Sequence, residues 1–264
     1  RTSDVLASVN EDDCAAEAWQ SPLLVATTDF VNSNPISLEL GVGDLSTVGR
    51  LGVATNVSDL LGSGALPRFL LLSVMMPRDS TTEDFLRLMT GARHEAARWG
   101  VQIIGGVTKL GKSLSVSGTA IGECQSENQL FLKNRAKAGD DIWISGSIGG
   151  CSAAVLGLRM PIQDPAWRKW AIETLTVPEL PLVRSAQLSR LGLACSGTDI
   201  SDGLGMDLLQ LCELSKVGAT IIASQIPTEA QVSFAAEQLS LQPWNFSFAL
   251  GGDFQFLVTA SPQH

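Results

Sequence analysis

The sequence contains no tyrosine and only two histidines, His94 and His264, so the side chains that most often transfer protons near neutral pH are scarce. Its five cysteines include no C-x-x-C pair, which disfavours both a disulfide framework and a zinc site. Apolar runs stay below the roughly 18 residues of a membrane span. A formal net charge of -9 disfavours a nucleic-acid surface. We therefore expect a cytoplasmic protein that binds neither nucleic acid nor membrane and whose chemistry depends on carboxylates, Lys, Arg and backbone groups.

The composition is that of a globular protein with well-packed cores. The chain has 264 residues, of which 45% are hydrophobic and 17% are charged. Strand-like apolar runs alternate with amphipathic stretches, which predicts an α/β fold. The turn-rich AKAGDD near residue 137 predicts a boundary between an N-terminal domain, 1–137, and a C-terminal α/β domain, 138–264. Residues 197–227 are predicted to form a loop, a helix and a strand.

The stretch GGVTKLGKS, residues 105–113, has the G-x-x-x-x-G-K-S spacing of a phosphate-binding P-loop. A P-loop places a helix directly after the Lys-Ser pair, so that the positive helix end faces the phosphates. Here SLSVSGTAIGE follows, and its alternating apolar residues predict a second strand reached through a hairpin. A P-loop hydrolase remains an alternative that a helix starting at residue 113 would support.

Aspartates occur where predicted strands end and predicted helices begin. Asp13 lies in EDDCAA, Asp29 ends VATTD, Asp59 lies in NVSDLLGSG, and Asp199 and Asp202 frame TDISDG. Each alone is explained by a helix cap or a turn. Together they suit Mg²⁺, which takes one or two carboxylates per ion and shares its other positions with water and phosphate. We therefore predict that Asp29, Asp59, Asp199 and Asp202 converge.

Seven motifs together resemble the thiamine-monophosphate kinase family of the aminoimidazole ribonucleotide synthetase-like superfamily. In chain order they are EDDCAA, VATTD, NVSDLLGSGALP, IIGGVTK, KAGDDIWISGSIGGCSAA, TDISDGLGMDLLQL and ALGGDFQFLVT. The resemblance spans nearly the whole chain. It implies an N-terminal domain whose sheet forms a homodimer, a C-terminal α/β domain, and an ATP site in which Mg²⁺ bridges phosphates to aspartates.

The resemblance also implies roles for individual residues. The metal positions are Asp13, Thr27, Thr28, Asp29, Asp59, Asp199 and Asp202, among which Asp29, Asp59 and Asp202 are also the catalytic candidates. Ser201 matches a nucleotide contact, and Lys133 stands where the family has a phosphate-binding arginine. Gly105 and Gly106 belong to the GGVTK block and are candidate nucleotide contacts.

Three departures from the family pattern concern the metal and the phosphoryl acceptor. Val107 replaces an aspartate of the family's GGD block, and the histidine that follows the family's TTD block is absent. The family's GGED becomes GGDF, which leaves Asp253 as the nearest candidate for the acidic substrate contact. The chain starts at Arg1, and about fifty residues that the family has after its last strand are missing here, so we expect both natural termini to lie elsewhere.

The resulting prediction is an ATP- and Mg²⁺-dependent kinase of a small phosphorylated metabolite, with the acceptor open. One alternative is a synthetase of the same superfamily, which uses ATP to activate a carbonyl oxygen for amine attack. Another is a nucleotide-binding paralogue that has lost catalysis through Val107. The continuously apolar runs LLVATT and RFLLLSVMM predict a sheet covered on both faces, one of them by a second subunit.

Overall fold

The computed structural model describes the backbone of residues 5–7, 16–17, 23–160, 162–193 and 195–263. They form the predicted α/β architecture, with two main sheets and helices packed on both. The strands are β1 (Val5–Ala7), β2 (Ala16–Glu17), β3 (Leu23–Val31), β4 (Leu66–Pro77), β5 (Gln102–Gly111), β6 (Ser115–Cys124), β7 (Asp141–Ile144), β8 (Ser196–Ile200) and β9 (Gln255–Ala260). The helices are α1 (Ile36–Glu39), α2 (Leu45–Gly62), α3 (Thr82–Arg98), α4 (Gly150–Arg159), α5 (Pro165–Thr176), α6 (Leu182–Arg190), α7 (Leu204–Ser215), α8 (Ala230–Leu239) and α9 (Pro243–Ser247).

The first sheet has the strand order β3-β6-β4-β5, and α2 and α3 pack together on one of its faces. Helix α2 begins with a capping box, in which the Asp44 carboxylate accepts the N–H of Thr47 at 3.0 Å and the Thr47 hydroxyl accepts the N–H of Asp44 at 3.3 Å. The helix lies so close to β6 that a Cβ atom on Gly118 would be 2.3 Å from the amide nitrogen of Asn56. This contact places the second half of α2 against β3 and β6.

The stretch 105–113 is not a P-loop, because β6 begins at Ser115 where a helix would be required. The predicted hairpin is also wrong. Strands β5 and β6 pair with opposite edges of β4, so they are not neighbours. The residues between them, 112–114, cross the end of β4, and the apolar β4 forms hydrogen bonds along both edges. The local pattern specified two strands correctly but could not specify which strand lies between them.

The second sheet has the order β7-β9-β8, with both pairs antiparallel. Strand β8 forms where a loop was predicted, because its five residues are all buried beneath the surrounding elements. The strand predicted at the end of residues 197–227 is also wrong, since residues 217–222 belong to no strand and a 3₁₀ turn follows at Ala223–Gln225. Residues 217–222 instead line a cavity of about 700 Å³ together with β7 and α7.

The two halves meet where α2 contacts β8. A Cβ atom on Gly62 would lie 2.3 Å from the backbone nitrogen of Asp199, so only glycine permits this approach. The Ser185 hydroxyl of α6 donates to the Leu61 carbonyl at 2.7 Å and fixes the same junction. The boundary predicted at 137/138 stays a prediction, although it lies just before β7. In the described residues, no helix combines the length and apolarity needed to cross a bilayer.

Candidate active site

The candidate site is built around Asp59, which lies near the end of α2. The Thr27 hydroxyl of β3 donates to Asp59 Oδ2 at 2.6 Å. One turn earlier in α2, Asn56 Oδ1 accepts the backbone N–H of Asp29 at 3.0 Å. The strand end that carries Asp29 is therefore held by the same helix that carries Asp59.

Asp199 reaches this position from the second half of the chain. It lies on β8 and is only 8% exposed, and the Ser58 hydroxyl of α2 donates to its Oδ2 at 2.8 Å. Ser58 and Asp59 are consecutive, so one turn of α2 carries the Asp59 carboxylate and also contacts the Asp199 carboxylate of the second half. Residues 140 positions apart in the chain thus become neighbours through the close α2–β8 packing.

Burial and mutual repulsion shift these carboxyl groups toward the protonated form. Burial raises the pKa of Asp59 to about 7, and the charges of Asp199 and Asp29 act in the same direction. Burial also raises the pKa of Asp199, although the Ser58 and Ser201 hydroxyls and the Lys133 ammonium oppose that shift. Neighbouring acids with raised pKa values are typical of functional sites, because buried and mutually repelling carboxylates do not stabilise the folded state.

Lys133 supplies the positive charge close to this cluster. Its ammonium group lowers the pKa of Asp59, Asp199 and Asp207, and it donates a hydrogen bond to Oε1 of Gln210 on α7. This position is consistent with the phosphate contact predicted from the sequence.

Asp207 is a member of the cluster that the sequence analysis missed. It is 5% exposed in the first turns of α7, and its Oδ2 accepts the backbone N–H of Asp202 at 3.1 Å. Burial raises its pKa to about 6, with Asp199 and Asp202 contributing. The available signal was its spacing in DISDGLGMD, where a carboxylate in the first turn of a helix can fold back to the preceding loop.

Three residues of the predicted metal and nucleotide site face the other side of the first sheet: Thr28, Gly105 and Val107. Paired strand residues share a face, and the registers connect Thr28 to Gly105 and Phe30 to Val107 across the sheet. Phe30 is 60% exposed, whereas Asp29 next to it faces α2. We name the exposed side the open face. Thr28 donates to the carbonyl of Gly118, not to the cluster.

Val107 therefore cannot be the missing ligand of the cluster in its own chain. It lies on the open face, three strand spacings or about 14 Å from β3. Gly106 is connected to Asp29 by the strand registers and is also about 14 Å from β3. Its φ of 143° and its close approach to the carbonyl oxygen of Leu72 require glycine at this position for the backbone itself. Asp13 lies outside the described residues.

Asp253 has a structural role that accounts for both of its oxygens. Oδ2 accepts the N–H of Gly149 at 2.7 Å, and Oδ1 accepts the N–H of Cys151 at 2.9 Å. The carboxylate thereby caps α4. Burial raises its pKa, while the N–H groups of residues 149–151 lower it. The predicted substrate contact through Asp253 would have to compete with these bonds.

The donor chemistry of the cluster fits Mg²⁺, which prefers carboxylate and hydroxyl oxygens together with phosphate. Asp29, Asp59, Asp199 and Asp202 interact electrostatically, as the shifts at Asp59 and Asp199 require. Their convergence is nevertheless incomplete. Within residues 23–160, 162–193 and 195–263, no three His, Cys, Asp or Glu side chains are arranged to hold an ion by themselves. A metal here would need ligand oxygens from water or phosphate.

Comparison with known proteins first defines the class. Residues 11–124 match the family described as AIR synthase related protein, N-terminal domain. The structure matches a crystal structure of thiamine-monophosphate kinase from Stenotrophomonas maltophilia K279a with a TM-score of 0.85 and 25% identity, covering 99% of this chain and 82% of that one. The chain has the two-part fold of the AIR synthase-like superfamily, as predicted.

Within that superfamily, the chain is similar to thiamine-monophosphate kinases. The kinase of Aquifex aeolicus (strain VF5) is 24% identical over 94% of this chain and 79% of its own length. A structure described as AaThiL complexed with AMPPCP and TMP has a TM-score of 0.78 and 23% identity, and covers 91% of this chain and 76% of that one. These findings confirm the resemblance predicted from the seven motifs.

Proposed function

We propose that this protein is an ATP-dependent phosphotransferase that transfers a phosphoryl group to thiamine monophosphate or a close analogue. The names of the relatives bear out the predicted class of enzyme. The observation that carries the proposal is the meeting of Asp59 and Asp199, from the two halves of the chain, within the influence of Lys133. An active site between two halves can hold two phosphorylated substrates against each other.

Phosphoryl transfer suits this set of residues because it requires positioning and charge neutralisation more than a proton-transfer base. Asp29, Asp59, Asp199 and Asp202 would hold Mg²⁺, which neutralises phosphate charge when bound. Lys133 is placed to attract a phosphate group, and the hydroxyl of Ser201 lies beside Asp199. Thr27 and Ser58 orient the Asp59 and Asp199 carboxylates. The scarcity of histidine is no obstacle to such a reaction.

A homodimer through the open face belongs to the same proposal. Leu24, Phe30, Met75 and Val107 are 58%, 60%, 43% and 49% exposed on this face, an unusual display for a sheet in a single chain. Fully burying a wholly exposed side chain of this kind is worth roughly 1.5–3 kcal/mol, and about half of each of these side chains is still to be buried. Sedimentation or light scattering at micromolar concentration should report a dimer, and a monomer would contradict this part. We also infer a cytoplasmic location, where ATP is available.

The test of the activity uses the purified chain with ATP, Mg²⁺ and thiamine monophosphate. Separation of the products should show ADP and thiamine diphosphate in equal amounts, with Asp199→Asn as the inactive control. ADP and free phosphate without a phosphorylated acceptor would contradict the kinase and favour the synthetase alternative. Binding of Mg²⁺-ATP without turnover would favour the catalytically impaired paralogue, although Val107, which suggested it, lies away from the cluster.

A further inference from the structure

Lys133 lies close to the acidic cluster around Asp59, yet it is not paired with a carboxylate. Its ammonium group lowers the pKa of Asp59, Asp199 and Asp207, so it is within range of their charges. The hydrogen bond that it donates goes instead to Oε1 of Gln210, a neutral amide oxygen. In the part of the chain that the structure describes, Lys133 forms no ion pair. The bond to Gln210 thus keeps apart charges that attract each other.

The backbone that carries Lys133 is fixed from two sides. The Ser215 hydroxyl, at the end of α7, donates to the Lys133 carbonyl at 2.7 Å and accepts the N–H of Ala136 at 3.1 Å. From β8, the Ser196 hydroxyl donates to the carbonyl of Leu132 at 2.8 Å. With the backbone held, the direction of the ammonium group depends on the flexible four-carbon side chain and on its acceptor, Gln210.

Helix α7 places Gln210 next to the cluster but nearer to solvent. Asp207 and Gln210 are three positions apart, so they lie on one face of the helix. Asp207 is buried and bonded to the backbone of Asp202, whereas Gln210 is exposed. A lysine ammonium has three N–H donors, and within the described residues the bond to Gln210 uses one of those on Lys133. The other donors are available to a ligand that enters from solvent.

We infer that Gln210 is a positioning residue, which prevents Lys133 from pairing with the cluster carboxylates and holds its ammonium group ready for a phosphate group. An ion pair with Asp199 or Asp59 would neutralise a carboxylate that Mg²⁺ needs and would occupy a donor that phosphate needs. An arginine, which the family resemblance gives at position 133, has a planar fork of donors, whereas a lysine has a compact charge on a flexible stem. A lysine therefore depends more on a neighbouring acceptor for its direction.

The inference rests on the proposed function, because it assigns Gln210 to the predicted Mg²⁺ and phosphate site. The test compares Gln210→Leu with the unchanged protein, with Lys133→Met and with the double variant. Gln238→Leu is the matched control, because Gln238 is exposed on α8 and its side chain forms no hydrogen bond within the described residues. Calorimetry measures the binding of Mg²⁺ alone and of Mg²⁺-AMPPCP, and chemical denaturation measures the free energy of unfolding without metal.

We expect Gln210→Leu to weaken both Mg²⁺ and Mg²⁺-AMPPCP binding about tenfold, because the released ammonium group pairs with a carboxylate. The same pairing should leave the metal-free protein as stable as the unchanged protein or more stable, whereas loss of a purely structural contact would lower its stability. In the Lys133→Met protein, Gln210→Leu should change Mg²⁺ affinity no further. Gln238→Leu should change none of these quantities.

Three results would overturn the inference and leave the kinase proposal intact. They are unchanged affinities in a folded Gln210→Leu protein, a destabilised Gln210→Leu protein, and an equal loss of Mg²⁺ affinity when Lys133 is already methionine. If the unchanged protein binds neither Mg²⁺ nor Mg²⁺-AMPPCP, the proposed function itself fails, and the role of Gln210 fails with it.

Discussion

Two groups of buried carboxylates, the one around Glu95 and the acidic cluster around Asp59, are balanced in different ways. Glu95 of α3 is fully buried, yet it accepts hydrogen bonds from Arg50, Arg98 and the Trp99 indole at 3.3, 3.1 and 2.6 Å. Arg98 also donates to the Pro178 carbonyl at 3.1 Å and so ties α3 to the second half. The charges of this network are satisfied within the protein.

The acidic cluster lacks such compensation. Asp59 and Asp199 each accept a hydrogen bond from a hydroxyl group, of Thr27 and Ser58 respectively. The Lys133 ammonium lowers the pKa of both carboxyl groups. A buried charge without a partner is costly. The difference favours a structural role for the Glu95 network and supports the proposal that the acidic cluster gains its positive charge from a ligand. Each experiment below tests one side of that comparison.

The largest effect is expected for Glu95→Ala. Removing this carboxylate leaves two arginines without their shared partner, which typically costs about 3–5 kcal/mol when a buried pair is broken. Chemical denaturation measures the loss. Glu83→Ala in the same helix is the matched control, because its 3.2 Å pair with Arg87 is exposed and such pairs contribute about 0–1 kcal/mol. Equal effects of the two substitutions would remove the distinction.

Asp59→Asn should have the opposite effect to Glu95→Ala, because it should reduce activity without reducing stability. We expect the catalytic rate to fall about 10²- to 10³-fold, roughly 3–4 kcal/mol of transition-state stabilisation. Stability of the metal-free protein should be unchanged or higher, since a desolvated charge is removed. Steady-state ADP formation and denaturation are measured together. Asp44→Asn, at the start of the same helix, is the control, because asparagine also caps helices. A destabilised and fully active Asp59→Asn protein would contradict the assignment.

The pH dependence of stability should show a smaller effect, which also arises from the buried Asp59 carboxyl group. The pKa of Asp59 is raised from 3.8 to about 7, so between these values the folded state binds more protons than the unfolded state. This contribution to stability is fully present below pH 3.8 and is lost as pH rises to about 7. Without metal, the melting temperature of the unchanged protein should therefore fall more over this window than that of Asp59→Asn. Parallel curves would show that Asp59 titrates normally.

The smallest effect is expected for Val107→Asp, which adds a carboxylate to the open face. Val107 is 49% exposed, so stability should change by no more than about 0.5 kcal/mol. Because this position is separated from the cluster by the sheet, Mg²⁺-ATP affinity should change less than twofold, as calorimetry can measure. A tenfold tightening would show that a second subunit brings this face to its own cluster.

Much of the candidate site was predictable because its residues lie in local motifs whose chemistry can be interpreted from neighbouring residues. Asp29 at a strand end and Asp199 beside a helix start were recognisable from their neighbours. The assignments of Thr28 and Val107 to the metal site stay predictions, and the sequence could not show that both lie on the open face. A residue's face depends on strand register, and one position along a strand reverses it. Asp207 was missed because its bond to the Asp202 backbone exists only once α7 has formed.

The sequence by itself determined the α/β class, the resemblance to thiamine-monophosphate kinases and four acidic residues of the candidate site, Asp29, Asp59, Asp199 and Asp202, since periodicity and motif order are written along the chain. Tertiary structure alone decided that β4 separates β5 from β6, that Gly62 admits Asp199 to α2, and that Asp253 caps α4. Each of these depends on contacts between segments distant in the chain. No local pattern encodes such contacts, because their free energy arises only when both segments are in place.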